Sequence, residues 1–152
     1  YRLGAWINSR LWTMREAPSA QIAQRVWLGR MPTAAQARAL GIVRIVDVSA
    51  ELAAPKGIPV RCVPMLDLIA PTTAQLAAAA EAIETQLGDE GDVLVCCALG
   101  YSRSAAAVAA WLLRTGRAAH ADEAIERVQG QRPQLVLHAA HRHALSQLAL
   151  HT

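Results

Sequence analysis

The stretch Asp92-Val-Leu-Val-Cys96-Cys97-Ala-Leu-Gly100-Tyr-Ser-Arg103-Ser104 decides how this chain is read. Asp92 to Cys96 is a short apolar run bounded by Gly91, the pattern of a strand buried on both faces at the centre of a sheet. Ser104 to Arg114 follows as a run of good helix formers closed by Gly116. Between them the chain must reverse within a few residues. Gly100 suits a place where the backbone turns sharply or comes close to a ligand. A strand, a tight loop and a helix in this order aim successive backbone N–H groups, together with the positive end of the helix dipole, into one concavity. Such a concavity suits phosphate.

On either side of this junction strands and helices alternate. Val26, Trp27 and Leu28 form a short strand, and Thr33-Ala-Ala-Gln36 is a capping box opening a helix that stops at Gly41. Ile42, Val43, Ile45, Val46 and Val48 read as a buried strand, followed by an Ala- and Pro-rich loop and a further strand over Val60 to Val63. Thr72-Thr-Ala-Gln75 is a second capping box. Leu76, Ala79, Ala80, Ile83 and Leu87 mark one apolar face of the helix behind it, which ends at Gly88. Two more helices carry Ala121, Ala124, Ile125 and Val128, then Leu137, Ala140, Ala144 and Leu148. The fold class expected is α/β: a central, mostly parallel sheet of four to five strands flanked by helices. Residues 1–22 read as an N-terminal helical segment or linker, because Trp6, Ile7, Leu11 and Trp12 have helical spacing until Pro18 and Ser19 interrupt it. Residues 23–152 then form one compact domain.

Composition excludes several classes. The 152 residues suit a single domain, and 53% hydrophobic with 18% charged residues argues against intrinsic disorder. A net charge of +3, spread over scattered arginines, favours anionic ligands only weakly, and no basic stripe points to nucleic acid. Three cysteines, two of them adjacent, fit neither a zinc site nor a disulfide framework, so a reducing compartment is expected. No apolar stretch reaches the roughly 20 residues that span a bilayer. The five histidines gather mostly near the C-terminus, where only His138 and His141 share a helical face. No carboxylate or cysteine accompanies them, and they read as a solvated surface rather than a metal site.

The chemistry lies in Cys97 and Arg103, which enclose five residues. The helix terminus and the guanidinium should hold the thiol as its thiolate nucleophile. Arg103 can grip two phosphate oxygens at once, which a lysine would do less well. Ser104 offers a hydroxyl to the sulfur. A buried cysteine beside a surface arginine is the bland alternative, and the strand-to-helix setting weighs against it.

Cys97 to Ser104, reading C-A-L-G-Y-S-R-S, resembles the signature of the dual-specificity phosphatases within the cysteine-dependent protein tyrosine phosphatase superfamily, and the likeness extends more faintly from Val26 to Leu150. The resemblance implies a phosphocysteine intermediate on Cys97, phosphate binding by Arg103 with Ala98, Leu99, Gly100, Tyr101 and Ser102, and a Ser104 that eases thiolate departure. It also implies an upstream aspartate as general acid. Asp67, after a strand and thirty residues before Cys97, matches that placement, with Glu51 next in line. Asp47 and Asp92 lie at or inside strands, and Asp89 and Glu90 in a turn. The family usually has His before the nucleophile, where this chain has Cys96. Cys62 is a conceivable disulfide partner for an oxidised Cys97. No metal or cofactor is called for.

The substrates implied are phosphotyrosine and phosphoserine or phosphothreonine of proteins, because Ala98, Leu99, Tyr101 and Ser102 leave the loop equipped for a single phosphate. A phospholipid, such as a phosphatidylinositol phosphate or phosphatidylglycerophosphate, is the alternative. A non-catalytic phosphate-binding module is weaker, since cysteine, arginine and acid are all present. The expected location is the cytoplasmic side, with any membrane tether supplied by sequence before Tyr1.

Overall fold

In the computed structural model, which describes residues 17–88 and 90–150, the apolar run at the centre of the sequence becomes β5 (Asp92–Cys97). It lies between β2 (Val26–Arg30) and β3 (Ile42–Asp47) and runs parallel to both. Val93, Val95 and Cys97 enter the larger of two core clusters, and Leu94 and Cys96 the smaller. With both faces covered, the strand needs no alternation of apolar and polar residues. Beyond β3 lies β4 (Val60–Cys62), again parallel, so the sheet meets the expected topology.

One edge differs from expectation. Ser19–Ala23 forms β1, antiparallel to β2, so the boundary drawn at residues 22 and 23 falls inside a sheet strand. Its physical basis is Gly29: a Cβ there would lie 2.4 Å from the Pro18 carbonyl oxygen, and only a glycine lets β1 approach β2 this closely. The helical pattern over Trp6 to Arg15 lies outside the described residues.

Helix α1 (Ala34–Ala39) covers the smaller cluster through Ala37. The other face carries α2 (Thr73–Leu87), α3 (Arg103–Arg114), α4 (Ala121–Gln131) and α5 (Ala139–Leu150). Both capping boxes form as read: Thr33 Oγ1 accepts from the Gln36 N–H and Thr72 Oγ1 from the Gln75 N–H, each at 3.2 Å. Helix α3 is buried from Arg103 to Leu113. Its alanines let α2 and α4 close on it from either side, while the buried Trp111 donates its indole N–H to Glu84 at 2.7 Å. This burial fixes the start of α3, and so the loop before it, in one place.

Candidate active site

The five residues between β5 and α3 are held against the backbone of β2. Gly100 has φ of 74°, and a Cβ there would lie 2.4 Å from the Gly29 carbonyl carbon and 2.5 Å from the Arg30 nitrogen. Both the left-handed turn and the close approach require glycine, although the close neighbour is a strand rather than a ligand. Gly100→Ala should therefore displace the loop as well as strain it. An unfolding-stability loss of about 1–3 kcal/mol, read by denaturant titration, should accompany a fall in phosphate affinity. An unchanged midpoint and affinity would contradict this account.

Cys97 closes β5, almost fully buried at 2% exposure. The Gly100 N–H donates to its sulfur at 3.2 Å, and the Ser104 hydroxyl lies 3.3 Å away on the first turn of α3. Arg103 opens α3 with 4% exposure, and Glu51 grips its guanidinium in two-pronged fashion at 2.6 and 3.3 Å. The Met65 carbonyl accepts a third hydrogen bond, at 3.3 Å. Burial alone would lower the arginine pKa, yet the hydrogen bond to Glu51 and the electrostatic influence of Cys97, Glu51 and Asp67 raise it on balance. The cation is secured.

Asp67 sits on the loop after β4, 57% exposed, with Oδ1 3.5 Å from Arg103 Nη2. Its neighbours Leu66, Leu68 and Ile69 are also exposed, and Leu68 takes a left-handed φ of 62°. Asp47 and Asp92, weighed against it, are committed elsewhere, and Asp89 lies outside the described residues. Asp47 Oδ1 accepts from the Ser49 N–H and hydroxyl and from the Ala50 N–H, and Asp92 accepts from Trp27 Nε1 at 2.7 Å.

Glu51 is the residue that sequence reasoning misjudged. It appeared only as a reserve acid, whereas the structure makes it the clamp on Arg103. A signal existed: Glu51 follows the carboxyl end of β3, and in a parallel sheet the loops at that end share one crevice. Asp47 bends the intervening chain so that Glu51 reaches the arginine.

Cys96 points to the opposite face of β5, fully buried, with Sγ 3.9 Å from Met31 Sδ. Burial above all, and then Asp47, pushes its thiol well above the ordinary range. It is a core residue. Cys62 pairs in register with Asp47, which pairs with Cys96. It therefore lies two strand spacings, about 10 Å, from Cys96 and shares that residue's face rather than that of Cys97. Disulfides span Cα separations of about 4.4–6.8 Å, so the conceivable Cys62–Cys97 bond does not fit this sheet. His141 is buried, not solvated as its sequence setting suggested. Among the described residues no group of three or more His, Cys, Asp or Glu side chains could hold a metal ion. Among those residues, too, no helix is long and apolar enough to cross a membrane.

Comparisons with known proteins agree with this fold. The family described as "Dual specificity phosphatase, catalytic domain" matches residues 26–149. A mouse protein solved as a dual-specificity phosphatase with zinc tungstate is similar at 26% identity, over 90% of this chain and 89% of its own, with a TM-score of 0.79. Human DUSP28 is similar at 26% identity, over 90% of this chain and 97% of its own, with a TM-score of 0.77. PTPMT1, solved in complex with PI(5)P, shares the fold at 21% identity, over 89% of this chain and 96% of its own, with a TM-score of 0.75. No curated protein matches the chain by sequence.

Proposed function

Because the chain belongs to the dual-specificity phosphatase family of cysteine-dependent phosphatases, we propose that it hydrolyses phosphate monoesters of proteins, phosphotyrosine first and phosphoserine or phosphothreonine second. The observation that carries the reading is that Asp67, on the loop after β4, meets Arg103, which shares with Cys97 the loop between β5 and α3 at the carboxyl edge of the sheet.

In this reading the Cys97 sulfur attacks phosphorus and forms an S–P bond as the P–O bond to the leaving group breaks. Asp67 gives its proton to the departing oxygen. Water then attacks the phosphocysteine, Asp67 takes a proton from it, and the S–P bond breaks to release phosphate. Ser104, within reach of the sulfur, supports the returning thiolate. Arg103 and the backbone N–H groups of residues 98 to 103 meet the charge on the transferring group. Held by Glu51, the guanidinium is oriented before substrate arrives.

The side chains of the loop favour a single phosphate. Ala98, Leu99, Tyr101 and Ser102 bring no further cation, so a headgroup with several phosphates finds no added complement there. A second reading, a phospholipid phosphatase, draws on the exposed Leu66, Leu68 and Ile69 around Asp67, an apolar rim that a bilayer surface would accept. The test compares catalytic efficiency on a phosphotyrosyl peptide with that on phosphatidylinositol phosphate and phosphatidylglycerophosphate vesicles. The peptide should lead. A tenfold lipid preference, only about 1.4 kcal/mol of discrimination, would promote the second reading.

A further inference from the structure

We propose that His141 is a positioning residue that keeps the N-terminus of α3 open for phosphate by holding the Ser102 hydroxyl away from it. The inference rests on the reading of residues 97 to 103 as the phosphate site.

Among the described residues three helices have a hydroxyl residue at the N-cap, and one behaves differently. Thr33 (φ −80°, ψ 163°) and Thr72 (φ −71°, ψ 159°) are extended and accept from the third N–H of their helices. Ser102 stands at φ −121°, ψ −66°, and its side chain makes no cap hydrogen bond. Serine is among the best N-cap residues, so its absence from that role needs a cause. The cause lies on α5, where His141 Nε2 is 3.0 Å from Ser102 Oγ.

His141 suits a fixed role. It is 7% exposed, and its Nδ1 is buried with no hydrogen-bond partner among the described residues. An orphaned N–H is costlier to bury than an orphaned lone pair, so the proton belongs on Nε2, which then donates to Ser102 Oγ. Burial chiefly, with a contribution from His138, holds the ring below its usual pKa and keeps it neutral. The neighbouring chain is pinned by the same segment, since the Val136 N–H donates to the Tyr101 carbonyl at 3.2 Å.

The consequence appears at α3. The Ser102 carbonyl accepts from the Ala106 N–H at 2.9 Å, which leaves the N–H groups of Arg103, Ser104 and Ala105 without carbonyl partners inside the helix. A capping hydroxyl would occupy one of these and draw Ser102 toward the extended shape seen at Thr33 and Thr72. With the hydroxyl tied to His141, the donors remain for an oxyanion, at the helix end whose dipole favours it.

His141→Leu keeps bulk near the histidine's and removes the donor. Inorganic phosphate binding, measured by calorimetry, and KM for an aryl phosphate should both weaken about fivefold, the size of one helix-cap hydrogen bond. The melting temperature should hold or rise, because α3 becomes capped. Adding Ser102→Ala to His141→Leu should restore phosphate affinity to within about twofold of wild type, since no hydroxyl is left to cap. Unchanged affinity in His141→Leu would overturn the proposal, as would a loss with a lowered melting temperature that Ser102→Ala does not reverse. Should His141→Leu fail to fold, His141→Gln decides: its amide can still donate to the Ser102 hydroxyl, so phosphate affinity within about twofold of wild type supports the proposal, and a fivefold loss sinks it. A wild-type protein that neither binds phosphate nor hydrolyses the ester would instead remove the phosphate-site reading on which this rests.

Discussion

Cys97→Ser should reduce hydrolysis of an aryl phosphate by about 10⁴-fold or more while leaving phosphate binding within a fewfold of wild type. The expectation follows from what surrounds the sulfur. Its hydrogen-bond partners are the Gly100 N–H and the Ser104 hydroxyl, and neither is a base. A thiol gives up its proton far more readily than an alcohol, so a serine in the same place would be a neutral, poor nucleophile with nothing to activate it. Phosphate, by contrast, is bound by the backbone N–H groups and Arg103, which the substitution does not touch. Calorimetry with inorganic phosphate and rapid-quench trapping of a phosphocysteine in the wild type would measure the two halves separately. A serine variant within tenfold of wild-type turnover would rule Cys97 out as the nucleophile.

The parts of this architecture that sequence patterns expressed are those fixed by local chemistry. The run Asp92 to Cys96, the two capping boxes and the alanine-rich helix each carry their reason within a dozen residues, and each forms within a residue of where expected. What stayed hidden depends on distant partners. Ser19–Ala23 has weak strand character of its own and becomes β1 because Gly29 lets it approach β2. Glu51 read only as a second candidate acid until β3 and β5 were set side by side, and His141 looked like a surface residue until α5 was laid against the loop. Cys96 shows the converse. Its adjacency to the nucleophile invites a redox role, but strand alternation turns it to the other face, among apolar neighbours.

The division of labour between the two carboxylates near Arg103 is the second large expected effect. Asp67→Asn should slow turnover by about 10² to 10⁴ for substrates with a poor leaving group, the range that general acid catalysis supplies. Glu51 is committed to Arg103 through both oxygens, at 2.6 and 3.3 Å, and has little freedom to reach a leaving group. Asp67 is more exposed and stands 3.5 Å from the same guanidinium on a loop flanked by the left-handed Leu68, so it borders the crevice rather than its floor. The leaving group discriminates between them. A nitrophenolate departs without a proton, whereas an unsubstituted phenol or an alkyl alcohol needs one. The Asp67→Asn deficit should therefore grow from slight on p-nitrophenyl phosphate to large on phenyl phosphate, and the acidic-to-neutral part of the pH profile should flatten. Glu51→Gln should behave differently. Loosening the arginine weakens its grip on phosphate, so KM rises and the deficit is similar for both leaving groups. Equal losses from Asp67→Asn on both substrates, or a leaving-group dependence that appears in Glu51→Gln instead, would exchange the two roles.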